Sequence, residues 1–181
     1  MEDFKKYIEL NFNEIDGFKS DLGNNKLMED FISDEKKNSL CVIGIHKSGS
    51  LIAIWQLNNT LNILENPIVW IDSEGSPLCV IAINYLEFLS ILPYGVGLFY
   101  DVISSWDWIK LNNERYNEFS EKFNLSYCES LLTQNKLIYY ETFIKIELIL
   151  KKNKMNIEKN PFSKIIKAIE NNADFEAWLL S

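Results

Sequence analysis

The sequence predicts an α+β protein, an antiparallel β-sheet meander covered by helices and followed by a C-terminal helical extension. Three observations lead there. Four apolar segments, LCVIGI (40–45), LIAIWQL (51–57), PIVWID (67–72) and LCVIAI (78–83), are rich in the β-branched residues that suit strands. The first two are joined by HKSGS and the last two by SEGSP, short glycine-containing turns that can link antiparallel strands but not parallel ones. Beyond residue 112 the apolar positions recur at helical spacing instead. With 181 residues, 47% of them hydrophobic, the chain is long enough to bury a core without disulfides or metals.

The elements follow in order. Phe4, Tyr7, Ile8 and Phe12 lie at spacings near 3 and 4 and predict a short amphipathic helix. Gly17 and Gly23 interrupt what comes next, and a second short helix is expected near Leu27 to Ile32, with SDEKKNS as a solvated connector to the sheet. Several strand segments are apolar on both faces, so helices must cover part of the sheet. After the fourth strand, Asn84 with Glu87 three residues on predicts a capped helix through NYLEFLSIL, ended by Pro93 and Gly95. The aromatic-rich stretch 95–111 suits either a strand and turn or a buried short helix. RYNEFSEKF (115–123) reads as a helix. Ser126 and Glu129 have capping-box spacing, and Leu132, Tyr139, Phe143, Ile146 and Leu150 form one stripe of a long helix. Asn160 and Pro161 open a last helix, a cap followed by proline at the first helical position, that continues or restarts through ADFEAWLL. The sheet and its neighbours, 1–111, and the helical extension, 112–181, are expected to pack on one core.

Charge narrows the function classes. The net charge is −8, from 26 acidic and 18 basic side chains, which argues against nucleic acid and anionic membrane as partners and for a basic one. The acidity is uneven: residues 39–108 hold six acids and Lys47 as their one cation, whereas 109–181 are nearly neutral. The longest apolar runs are six residues, and the start carries acids among its lysines, so neither a membrane span nor a secretory leader is expected and the protein is placed in the cytoplasm. Cys41, Cys79 and Cys128 are widely spaced and read as buried thiols.

No catalytic group, cofactor site or metal site emerges from the residues. A single histidine, His46, rules out multi-histidine metal sites within one chain. His46, Ser48 and Ser50 share the first hairpin turn, but a catalytic serine needs a base held by a third group and an oxyanion site, and the turn alone supplies neither. Asp72 and Glu74 in IDSEGSP read as a solvated acidic turn or as contacts to a basic partner. Trp106, Asp107 and Trp108 cannot all point inward on a strand, which makes Trp106 and Asp107 candidate interface residues beside Asp72 and Glu74. The lysine run KKNKMNIEK (151–159) follows a helix end, where cations complement exposed carbonyls.

From Gly44 to Gly95, and above all in PIVWIDSEGSPLCVIAINYLEFLSIL, the chain resembles the SMI1/KNR4-type proteins of the SUKH superfamily. In these a strand with a proline-valine start leads through an acidic, glycine-containing turn into a second strand and a helix written roughly LEEFL. The counterparts are Pro67 to Ile71, Asp72 to Gly75, Val80 to Ile83 and Asn84 to Leu92. The resemblance implies an SMI1/KNR4-like α+β domain over 1–111 that works by binding: an immunity protein that neutralises a cognate toxin such as a nuclease or deaminase, or else a regulatory adaptor for an endogenous protein. An acidic face of the sheet including Asp72 and Glu74 is where such a partner is expected.

Overall fold

The computed structural model describes residues 15–21, 28, 32–56, 62–75, 78–109, 113–172 and 174–181. The helix expected over Phe4 to Phe12 lies outside them, and the one near Leu27 to Ile32 is described only at Met28 and Ile32, both buried. The chain is α+β. Its sheet has five antiparallel strands, β1 (Phe18–Ser20), β2 (Leu40–His46), β3 (Leu51–Trp55), β4 (Ile68–Ile71) and β5 (Leu78–Ala82), each beside its neighbour in sequence. The two expected hairpins are β2–β3 and β4–β5.

The fifth strand, β1, has a local cause. Asp16 and Gly17 both have positive φ, 49° and 78°, and Ile15 and Phe18 exchange backbone hydrogen bonds of 3.0 and 3.1 Å across them. That is a two-residue hairpin of the kind Asp-Gly favours, because both central residues must enter the left-handed region. The turn sets Phe18 opposite His46 and Ser20 opposite Gly44. Gly44 is needed there: a Cβ would lie 2.2 Å from the Phe18 ring and 2.5 Å from the Lys19 carbonyl oxygen.

Both faces of the sheet are dry. Alternation sends Ile52, Ile54, Ile68 and Trp70 to one side and Leu51, Ala53, Trp55, Val69 and Ile71 to the other. The first side is covered by α2 (Tyr85–Ile91), α3 (Val96–Ile109), α6 (Tyr140–Lys152) and α7 (Pro161–Asn171), through Phe88, Phe99, Ile146 and Ile165 among others. The second is covered by α8 (Asp174–Leu180), whose Phe175 ring sits 4.9 Å from that of Trp55. Helix α7 lies between the two layers: Phe162, Ile165, Ile166 and Ile169 join the first core and Ala168 the second. The C-terminal helices are therefore part of the sheet's own core.

Side-chain caps open α2 and α7 where the sequence places them. The Asn84 side chain accepts from the Glu87 amide at 2.8 Å, while the Glu87 carboxylate accepts from the Ile83 amide at 3.3 Å. Asn160 accepts from the Ser163 amide at 3.1 Å, with Pro161 next. Within the ambiguous stretch 95–111, residues 96–109 are helical as α3; α4 (Asn113–Lys122) comes next, and SDEKKNS contains the one-turn helix α1 (Asp34–Lys37).

Two expectations are corrected. The cap of α5 (Leu125–Ile138) is Asn124, which accepts from the Tyr127 amide at 3.0 Å, not Ser126. The long helix is two, α5 and α6, divided at Tyr139 with φ −115° and ψ 40°. The hydrogen-bond ladder continues through the break, Tyr139 N–H to Asn135 O at 2.8 Å and Phe143 N–H to Tyr139 O at 2.9 Å, so the apolar period survives and conceals it. Just before the break, buried Asn135 donates to the Pro93 carbonyl and ties α5 to the turn after α2. The cysteines are free thiols; Cys128 is buried, but Cys41 and Cys79 are only half-buried.

Candidate functional site

Antiparallel order brings three turns to one end of the sheet: the Asp16-Gly17 turn, the β2–β3 turn from His46 to Ser50, and the β4–β5 turn that begins at Asp72. The start of α3 closes over them. Between these segments lies a cavity of about 460 Å³. Asp16, Asp72, Glu74 and Asp101 line it, as do His46 and Ser48. Its walls are completed by Tyr94, Tyr100 and Tyr127, and Lys47 is the one lysine or arginine among the lining residues.

Asp16 is fixed by the helix it faces. Its Oδ2 accepts from the Gly97 amide at 2.7 Å, an anion at the N-terminus of α3, where the unpaired amides and the helix dipole both favour negative charge. A Cβ on Gly95 or Gly97 would meet that carboxylate at 2.6 or 2.9 Å. The two glycines make room for Asp16.

Asp72 is built into the floor. Pairing of Leu51 with Ile71 sets Ser50 opposite Asp72, and the Ser50 hydroxyl donates to Asp72 Oδ2 at 3.0 Å. Trp70 Nε1 donates to the same oxygen at 3.3 Å, and the Glu74 amide donates to Oδ1 at 2.9 Å. The chain of hydrogen bonds continues outward: Ser50 and Ser48 hydroxyls are 2.9 Å apart, and Ser48 Oγ is 2.9 Å from His46 Nδ1.

Proton counting fixes its direction. An ionised carboxylate only accepts, so Ser50 donates to Asp72, Ser48 must then donate to Ser50, and His46 Nδ1–H must donate to Ser48. The Ser48 amide also points at Nδ1, at 3.4 Å, a contact that suits the other tautomer; the three shorter hydroxyl contacts outweigh it. The neutral imidazole consequently carries its free lone pair on Nε2. In a Ser-His-Asp triad the imidazole stands between hydroxyl and carboxylate; here two hydroxyls stand between imidazole and carboxylate. The relay orients His46 and leaves no serine activated by a base.

His46 is 8% exposed, and burial lowers its pKa, with Lys47 adding to the effect and Asp16 and Asp72 opposing it. The unfolded chain therefore takes up a proton that the folded chain resists. Stability is fully present above the ordinary histidine value of about 6.5 and is lost as pH falls through the lower folded value. Urea midpoints measured from about pH 7 to pH 5.5 should decline in the native protein and decline less in His46→Gln; equal slopes would sink this reading. Tyr94 donates its hydroxyl to the Glu158 carbonyl, and burial pushes it up to about 12. Burial also raises Tyr127, so both stay neutral.

No protein-family model, curated protein or solved structure matches this chain.

The structure brings two of the four singled-out residues to the cavity. Glu74 is exposed at its rim, whereas Asp72 is buried beneath it and already serves three donors. Trp106 is half-buried against the main core and is not among the lining residues. Asp107 follows it in α3, with its side chain outside the described residues. Asp16, Asp101 and the three tyrosines join the site from elements that only folding brings together. Of these Asp16 alone had a local signal, the Asp-Gly pair. Among the described residues no group of three or more His, Cys, Asp or Glu side chains is placed to hold a metal ion, and no single helix is long and apolar enough to cross a membrane.

Proposed function

We propose that this chain is a cytoplasmic immunity protein of the SMI1/KNR4 type, which binds a cognate toxin domain and neutralises it without catalysis of its own. The observation that carries the reading is the acidic cavity: four carboxylates from three separate segments line it, with Lys47 as the one lysine or arginine beside them. Such a field steers a basic partner toward the sheet end and disfavours acidic ones. The run that carries the resemblance is folded as β4, an acidic turn, β5 and α2, which supports the same reading.

Coexpression with the toxin encoded beside it is the deciding experiment: cells left unprotected, with no complex formed, would end the proposal. Within that complex, Glu74→Lys should slow association about tenfold at low salt and much less at high salt, because exposed charges act through a screened field. A rate unchanged at both salt concentrations would remove Glu74 from the interface. Charge reversal at Asp72 is a poor probe, since its carboxylate is buried and holds three donors.

A second reading, a regulatory adaptor, has one observation in its favour. Leu137, Ile138 and Tyr140 are exposed at the α5–α6 junction, the kind of apolar surface that docks a protein partner. Leu137→Glu would weaken an adaptor's partner and leave toxin neutralisation intact. Deleting 112–181 cannot separate the two readings, because Phe143, Ile146 and Ile165 belong to the core.

A further inference from the structure

We propose that the cavity at the sheet end is a socket for a guanidinium group, and that the partner enters it with an arginine side chain. This rests on the binding role proposed above and names what the site takes.

Carboxylates predominate among the charged groups that line the cavity, four of them against Lys47. His46 is more than nine-tenths buried, lines the cavity, and has no hydrogen bond to Nε2 among the described residues. The relay to Asp72 holds the proton on Nδ1 and leaves the Nε2 lone pair free to accept from a ligand. Glu74 and Asp101 add carboxylates that form no salt bridge among the described residues. A ligand that satisfies this set must donate in several directions at once and carry positive charge.

Guanidinium does so. It presents five N–H donors in a rigid plane, and it stacks on aromatic faces and is weakly hydrated, whereas an ammonium is a compact, strongly hydrated point charge. Tyr100, 43% exposed, and Tyr127 supply faces for such stacking. The volume, about 460 Å³, takes a side chain with room for water. A divalent cation is the poorer candidate, because the carboxylates are not gathered as a metal-ligand group among the described residues.

The chain's single histidine makes the test direct. The ring nitrogens of His46 in the full-length protein are followed by long-range proton–nitrogen NMR during titration with N-acetyl-arginine methylamide, its citrulline analogue and its lysine analogue. The arginine probe should shift the Nε2 resonance saturably in the millimolar range, the citrulline probe should not, and the lysine probe should bind more weakly. Glu74→Gln and Asp101→Asn should each weaken the arginine probe about two- to fivefold. Both residues line the cavity and neither is buried, and an unchanged thermal midpoint verifies that each variant is folded.

A missing or unsaturable shift, or an equal response to citrulline, overturns the socket. An equal response to lysine overturns the guanidinium assignment. Toxin neutralisation is read separately by coexpression: protection without arginine binding removes the socket and keeps the immunity reading, and arginine binding without protection does the reverse.

Discussion

Replacing Trp70 with alanine is expected to destabilise the protein by about 3–5 kcal/mol, the usual loss for truncating a fully buried aromatic side chain. Trp70 is 0% exposed in the middle of β4. Its ring packs against His46 at 5.7 Å and Tyr100 at 6.2 Å between centroids, and its Nε1 holds Asp72. Against a typical total of about 5–15 kcal/mol, such a loss removes a large share of the stability. Urea denaturation gives the measure, and a change below about 1 kcal/mol would contradict the burial and packing described. Trp70→Phe separates the two contributions, since it keeps most of the packing and loses only the donor to Asp72.

Asp72→Ala should cost about 2–4 kcal/mol by a different route. Its carboxylate accepts from the Ser50 hydroxyl, Trp70 Nε1 and the Glu74 amide, and both Ser50 and Trp70 are 0% exposed. Removing the acceptor strands buried donors, which is dearer than the net worth of the bonds themselves. Asp72→Asn keeps one carbonyl oxygen in place and should lose less than alanine does. The relay should also go: with no acceptor behind Ser50, the proton on His46 Nδ1 is no longer fixed, and the same nitrogen resonances would report mixed tautomers. A single Nδ1–H tautomer persisting in Asp72→Ala would show that the relay does not orient the ring. Trp70→Phe and Asp72→Asn share one hydrogen bond, so their effects should fall short of additive.

The fold was legible where local chemistry decides it. The two hairpins, the Asn84 cap and the Asn160-Pro161 start all rest on residues within five positions of one another, and each stands where the sequence places it. β1 was missed although Asp16-Gly17 announces it, because a three-residue strand has too few positions to show alternation. The break at Tyr139 was missed for the opposite reason: the apolar period runs through it undisturbed. The cavity was legible only in part. Asp72 and Glu74 occupy one turn and could be read together, but Asp16, Asp101 and Tyr127 meet them through the sheet order and the packing of α3 and α5. The serines of the β2–β3 turn were visible; that the register of β3 with β4 sets Ser50 against Asp72 was not. Trp106 and Asp107 face opposite ways only on a strand, and α3 is a helix.

The place of α7 between the two layers has a consequence for the order of events as the chain is made. Residue 82 ends the sheet and residue 161 begins α7, so at about 5–20 residues per second the finished sheet waits roughly 4–16 seconds before that helix emerges. Through that interval Leu51, Ala53, Trp55 and Ile71 have neither α7 nor α8 to cover them, although β1 to β5 can already pair with their neighbours in sequence. Of the described residues that pack on that side from outside the strands, Met28 and Ile32 alone are made before α7, so the nascent protein keeps most of one apolar side uncovered until residues 161–180 arrive.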